Sequence, residues 1–231
     1  MFDIHSHLLP GIDDGSSSFE ESLTMLKNAY DDGIRDIIIT PHYERDGYFH
    51  SNKEANLKLL EELKERAKDI AINLYLGNEI YINENIIDDL KEGKVSTLAN
   101  SNYLLVEFPF TYYDDLYDGI LYDLKKEGYK IIIAHPERYS YVKEHYDFCL
   151  RWLNEGYLLQ CNTTSLRHHP HTMEYLLKNK WVSFIASDGH NLNRPVKLKD
   201  AYNQILNEYG KEYADELFIS NPRIIIESVI E

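Results

Sequence analysis

Residues 1–43 read MFDIHSHLLPGIDDGSSSFEESLTMLKNAYDDGIRDIIITPHY. A β-rich run at 2–5 gives way to a turn-forming stretch with Pro10, Gly11 and Gly15, then to a helical pattern, then to a second β-rich run at 36–40. Ser18 and Glu21 form a capping-box signature, Leu23, Leu26 and Tyr30 recur at helical spacing, and Gly33 can end the helix. The unit strand–helix–strand then repeats. Further β-rich runs fall at 72–77, 103–106, 130–134, 157–161 and 182–186, starting roughly 30 residues apart, the length of a parallel crossover. Most are apolar on both faces, as strands buried beneath helices must be. Alternating strand and helix leaves an open doubly wound sheet or a barrel. A doubly wound sheet gathers its ligands at one crevice, whereas a barrel draws site residues from the ends of many strands. Six of these seven strands end in a histidine or a carboxylate, which points to an α/β barrel.

The chain has 231 residues, 43% hydrophobic and 27% charged, and no Gly/Ser-rich or Pro-rich linker, so one domain over 1–231 is expected. Lys and Arg number 24 against 39 Asp and Glu, a net charge of −15. That balance repels phosphate backbones and anionic lipid surfaces, so neither nucleic acid nor membrane is an expected partner. The N-terminus has no basic segment followed by an apolar run, and the aliphatic stretches are short. Two cysteines, Cys149 and Cys161, are too few for a disulfide scaffold and suit a reducing compartment. A cytoplasmic protein is expected.

The strand ends carry the chemistry. His5 and His7 follow the first strand, His42 the second, Glu79 the third, Glu107 the fourth, His135 the fifth, and Asp188 with His190 the seventh. Side chains alternate along a strand, so His5 and His7 face one side and can present two imidazoles to one ion. A lone histidine at a strand end is more often a hydrogen-bonded surface or core group; eight donors on one face of a barrel are a metal site. Nitrogen and oxygen donors without thiolate suit Zn, Mn or Fe, and eight exceed the needs of one ion, so a multinuclear centre is expected. Asp3 reads equally as a partner behind these ligands or as a structural hydrogen-bonding group. Asp13 and Asp14, in a glycine-flanked loop, read as turn residues. Arg138, three residues after His135, and Arg194, four after His190, can aim guanidinium forks at an anion such as phosphate, although each could equally pair with a nearby carboxylate. Arg45 is a third candidate. His168, His169 and His171, in RHHPH, read as a solvated loop, and His50 and His145 lack strand-end context.

Taken in order, DIHSHLLPGIDDGS, TPHY, GNEIY, LLVEFPF, AHPERY and ASDGHN resemble the polymerase-and-histidinol-phosphatase (PHP) superfamily of metal-dependent phosphoesterases. More narrowly they resemble the tyrosine-protein phosphatases of Gram-positive capsule and exopolysaccharide operons. The resemblance spans about residues 1–194 and implies a distorted seven-stranded (β/α)7 TIM-like barrel, the PHP fold. It further implies two or three divalent metal ions, manganese foremost with iron or zinc as alternatives, and a substrate that is the phosphotyrosine tail of a polysaccharide-assembly tyrosine autokinase. Carried over residue by residue, the metal ligands are His5, His7, His42, Glu79, Glu107, His135, Asp188 and His190, and Arg138 and Arg194 bind phosphate. The loop after His42 departs from the pattern: it reads YERDGYFH where many relatives are more basic. In the implied chemistry, a water acidified by divalent cations attacks phosphorus in line, and the phenol, with a pKa of about 10, leaves without strong acid help.

Three other readings compete. A small-molecule phosphatase, such as one for histidinol phosphate, would use the same metals and different rim loops. A binding or regulatory protein on this scaffold would have broken ligand positions, and none is broken. Cys161 and Arg167 have the spacing of a cysteine-nucleophile tyrosine phosphatase, but the intervening residues include no glycine to let the backbone wrap a phosphate. Finally, the aromatic stretch 108–117 after Glu107 could grip a tyrosyl ring, with Tyr112 or Tyr113 as the contact, although most of the 19 tyrosines are expected at the core rim.

Overall fold

A computed structural model describes residues 1–44, 49 and 51–228; Arg45 and His50 lie outside the described residues. Among the described residues, nine parallel strands form two sheets. The first, in the order β1-β2-β4, contains β1 Phe2–Asp3, β2 Asp36–Ile39 and β4 Asn73–Leu76. The second, in the order β3-β5-β6-β7-β8-β9, contains β3 His42–Tyr43, β5 Glu79–Tyr81, β6 Tyr103–Glu107, β7 Lys130–Ala134, β8 Leu158–Asn162 and β9 Phe184–Ala186.

Nine strands replace the expected seven because two runs are broken. The second is interrupted at Thr40-Pro41, where proline cannot donate to a ladder, and the third at Gly77-Asn78. Each break moves the chain from the small sheet into the large one. His42 and Glu79 thus lie within short strands of their own, paired in register, rather than after strand ends. Backbone bonds span the breaks: Thr40 N–H donates to the Ser6 carbonyl (2.7 Å), Gly77 N–H to Ile39 (2.8 Å) and Glu79 N–H to Pro41 (3.2 Å). The seventh stave meets the first through a parallel bridge between Ser6 and Gly189, with Asp188 N–H donating to His5 O (2.9 Å) and His7 N–H to Gly189 O (2.8 Å). Seven staves therefore surround one interior, with a distorted seam where irregular bonds replace a ladder.

Ile38, Leu105, Ile132, Ala134, Phe184 and Ala186 share a buried cluster, separate from the larger one beneath the helices that holds Ile37, Ile39, Leu104, Val106, Ile131 and Ile133. Alternation carries the interior face upward from those residues to His42, Glu79, Glu107 and Asp188. At β7 the same alternation would send residue 135 outward. His135 instead takes a left-handed backbone, φ 31° and ψ 56°, which re-aims its ring over the barrel mouth.

The helix foreseen after Ser18 spans Phe19–Asp31, and the Ser18 hydroxyl caps Glu21 N–H. Glu21 reaches one residue further than a capping box, to Ser17 N–H (2.9 Å). The RHHPH stretch is not a loop: residues 165–168 and Pro170–Lys178 are helical, with His168 and His171 on the exposed surface. No helix among the described residues is long and apolar enough to cross a membrane.

Candidate metal centre

Every one of the eight predicted donors reaches the barrel mouth. His5 Nε2, His7 Nε2, Glu79 and Asp188 converge into one group, His42, Glu79 and Glu107 into a second, and His7, Asp14, His42 and His190 into a third; within each group the donor atoms lie within 4.8 Å of one another. Glu79 is the hub. Its Oε2 lies 3.0 Å from His5 Nε2, 3.2 Å from His7 Nε2 and 3.3 Å from His42 Nδ1, and its Oε1 lies 2.8 Å from His135 Nε2. His135 Nε2 also faces Glu107 Oε1 at 3.6 Å.

Asp14 corrects the turn reading. Its carboxylate stands 3.4 Å from both His42 Nε2 and His190 Nε2, and hydrogen bonds from these two imidazoles hold its acid form far below the ordinary aspartate range. Nothing in the sequence spacing signals this, because residues 14, 42 and 190 meet only through the tertiary fold. Asp13 is a turn residue, with Gly15 N–H donating to its Oδ1 (3.0 Å), and also a partner for ligands: its Oδ2 accepts from His7 Nδ1 (2.8 Å) and from His42 N–H (3.0 Å). Gly15 itself is required by space, since a Cβ there would sit 2.3 Å from the His7 carbonyl oxygen. Asp3 takes the structural alternative. It is fully buried and accepts from Ser187 N–H (2.9 Å) and Ser187 Oγ (2.5 Å), tying β1 to the residue before Asp188.

The chemistry of the donor set fits divalent cations. His7 Nδ1 is bonded to a carboxylate and His5 Nδ1 to Gln160 Oε1 (2.8 Å). When both Nδ1 atoms carry the proton, two bare Nε2 lone pairs face each other at 3.3 Å, an arrangement that needs a positive centre between them. Burial lowers the His5 imidazolium, and the charges of Glu79 and Asp188 more than reverse it; burial raises Glu107 to about 7, helped by the neighbouring Glu79 charge.

A cleft of about 250 Å³ opens above these donors, lined among others by Phe49, Phe110, Arg138 and Arg194. Arg138 Nη1 lies 3.2 Å from Asp188 Oδ2, and Arg194 Nη2 contacts the same oxygen; the two side chains are 31% and 34% exposed. The carboxylate pairing leaves donors to spare for an anion, because each guanidinium carries five. Phe110 stacks on His135 at 5.7 Å beneath the Arg138 guanidinium, and Phe49 stacks on His42 at 5.1 Å. Of the 108–117 stretch, Phe110 rather than Tyr112 or Tyr113 supplies a ring to the cleft wall. Tyr113 is instead tied into the rim of the core, bonded to Asp118 (2.8 Å) and packed on Phe108 and Trp152, and neither tyrosine lines the cleft.

Cys161 is fully buried within β8, and burial pushes its thiol well above the usual range; Arg167 is exposed on the following helix. A thiolate nucleophile is incompatible with that burial. Iodoacetamide under native conditions is expected to leave activity within twofold of the untreated protein, and loss of activity in step with Cys161 modification would overturn this reading.

The sequence matches the family described as Capsular polysaccharide synthesis, CpsB/CapC, over residues 1–227. It is 33% identical over 240 residues to the tyrosine-protein phosphatase CpsB of Streptococcus pneumoniae, covering 98% of each chain. It is 31% identical over 220 residues to the tyrosine-protein phosphatase YwqE of Bacillus subtilis, covering 92% of this chain and 86% of that one. Its fold superposes with a TM-score of 0.93 and 29% identity on a chain from the crystal structures of YwqE from Bacillus subtilis and CpsB from Streptococcus pneumoniae, described as unique metal-dependent tyrosine phosphatases; 100% of this chain and 96% of that chain are covered. A lactonase from Listeria monocytogenes, at TM-score 0.63 and 10% identity, shares the fold alone. Fold, ordered motifs and sequence identity agree, and the chain belongs to the CpsB/CapC family of capsular polysaccharide synthesis.

Proposed function

We propose that this chain is a metal-dependent tyrosine-protein phosphatase that removes phosphate from phosphotyrosine on proteins. The observation that carries this reading is the convergence of nine histidine and carboxylate side chains beneath a cleft crowned by two arginines. Its close relatives carry the same activity in their names. The finer substrate is the phosphotyrosine tail of a polysaccharide-assembly tyrosine autokinase, in keeping with the family's description as capsular polysaccharide synthesis.

His5, His7, Glu79 and Asp188 would hold one cation, His7, Asp14, His42 and His190 a second, and His42, Glu79, Glu107 and His135 a third, with manganese the ion we assign. Divalent cations in such a site supply a water acidic enough to attack at neutral pH and neutralise charge on the transferring phosphoryl group. The protein's own groups do the rest. Arg138 and Arg194 receive phosphoryl oxygens on planar forks and hold phosphorus above the donor cluster. Phe110 and Phe49 give the phenyl ring an apolar wall, so that a long aromatic phosphomonoester reaches the floor. No side chain must form a phosphoenzyme. With a phenol as leaving group, no strong general acid is required. Bound at these donors, cations would offset the local carboxylates and let a chain of net charge −15 accept an anion.

The deciding experiment is elemental analysis of the purified protein, paired with phosphotyrosine-peptide hydrolysis before and after chelation and after return of Mn, Fe or Zn singly. Activity is expected to vanish with chelation and to return best with Mn. Full activity in metal-free protein would overturn the reading, and a preference for histidinol phosphate over the peptide would overturn the protein substrate. Phe110→Ala is expected to raise KM for the peptide about tenfold, the equivalent of about 1.4 kcal/mol of ring contact, with metal content unchanged; an unaltered KM would remove Phe110 from substrate binding.

A further inference from the structure

One stave contributes no candidate ligand. Strand β8 ends in Gln160-Cys161-Asn162, and its inward-facing positions are taken by two amides, Gln160 fully buried and Asn162 2% exposed. These amides form a chain of hydrogen bonds across the barrel interior. His5 Nδ1 lies 2.8 Å from Gln160 Oε1, Gln160 Nε2 donates to Asn162 Oδ1 at 2.9 Å, and Asn162 Nδ2 donates to Asp188 Oδ2 at 2.6 Å. Asn162 is itself rooted from the neighbouring turn, where the buried Glu137 carboxylate accepts from its backbone N–H (2.8 Å).

The direction of the chain is forced. An ionised carboxylate only accepts, so Asn162 must turn its NH2 to Asp188 and its oxygen to Gln160. Gln160 must then meet that oxygen with its own NH2 and turn its oxygen to His5. His5 must answer with a proton on Nδ1, which makes Nε2, 3.0 Å from Glu79 Oε2 and 3.3 Å from Asp188 Oδ1, the nitrogen left to take a cation. The chain also divides the labour of Asp188: Oδ2 takes Asn162, Arg138 and Arg194, and Oδ1 is kept for the donor cluster.

We propose that Gln160 and Asn162 are positioning residues that lock His5 in its Nδ1-protonated tautomer and orient Asp188, so that the charge of one metal ligand sets the ligand atom of another through two amides. The proposal rests on the metal-centre reading above. Two head-to-tail amides do this better than a carboxylate beside His5 would, because they add no further negative charge to a site that already holds four carboxylates.

The test compares wild type with Gln160→Met, Gln160→Glu and Asn162→Leu, each prepared metal-free, checked for folding by circular dichroism, and titrated with Mn2+ alone against a chelating competitor. Gln160→Met is expected to bind Mn2+ about 10–100-fold more weakly. Gln160→Glu keeps the acceptor for His5 and loses the donor to Asn162, so an intermediate loss is expected. In metal-free wild type at a pH high enough to neutralise the His5 ring, 15N-histidine NMR should report the remaining proton on Nδ1, and the spectrum of Gln160→Met should show a mixture of tautomers. Wild-type affinity together with an unchanged His5 tautomer in folded Gln160→Met and Asn162→Leu would overturn the proposal. Failure of the wild type itself to bind Mn2+ would instead overturn the metal-centre reading.

Discussion

Exchange of Glu79 for glutamine is expected to lower kcat for a phosphotyrosine peptide about 10³-fold, or about 4 kcal/mol of transition-state stabilisation, and to remove at least one ion from the protein as isolated. Glu79 is shared by two of the three donor groups, and its two oxygens face four imidazoles between 2.8 and 3.3 Å. An amide of the same shape offers one oxygen and one NH2. Whichever way it turns, donors confront ring nitrogens that should present lone pairs to a cation. Burial opposes the Glu79 anion, and the charges of His5 and His42 nevertheless hold its acid form well below the usual range, so the carboxylate is ionised at neutral pH and its loss changes the charge of the centre. Metal content measured with kcat, and thermal melts in chelator, separate this from misfolding. A variant with full metal content and activity within tenfold of wild type would remove Glu79 from the centre of the mechanism.

The second large effect is expected at the arginines. Arg138→Lys and Arg194→Lys should each lower kcat/KM about 10²-fold, within the range for removal of one preorganised donor to a developing charge, because an ammonium cannot reproduce a two-pronged fork. Neither guanidinium is a metal donor, so metal content should hold. Inhibition by inorganic phosphate should weaken in parallel, since product and transition state share the phosphoryl oxygens. If lysine at both positions preserves kcat/KM and phosphate inhibition, these side chains only neutralise Asp188, the contact both already make.

The parts of the site legible in the sequence are those governed by strand periodicity. His5 and His7 face one way because side chains alternate, and their Nε2 atoms lie 3.3 Å apart. Glu107 and Asp188 continue the inward parity of Leu105 and Ala186. The parts that were hidden depend on contacts distant in sequence or on residue types that do not bind metal. Asp14 has the sequence context of an ordinary turn residue, and only the fold brings His42 and His190 to it. Gln160 and Asn162 sit on the stave without a candidate ligand, and an amide side chain is not among the residue types that mark a histidine–carboxylate metal site. The doubling of two staves had a visible cause in Pro41 and Gly77, yet a proline or glycine near a strand end ordinarily marks only the end itself. Tyr113, despite its hydroxyl, belongs to the core rim, whereas Phe110, a plain hydrocarbon ring, lines the cleft.

The left-handed backbone at His135 and Asp188, φ 31° and 51°, has an evolutionary consequence. A side chain other than glycine in that conformation costs about 1–2 kcal/mol, against a total folding free energy of about 5–15 kcal/mol for a typical domain. Glycine at 135 should therefore melt higher than alanine at 135, the reverse of their usual order within helices and strands. Selection for heat resistance alone would drift both positions toward glycine or asparagine and lose the enzyme on the way. On the metal-centre reading, histidine at 135 and aspartate at 188 are kept for their donor atoms against the pull of stability.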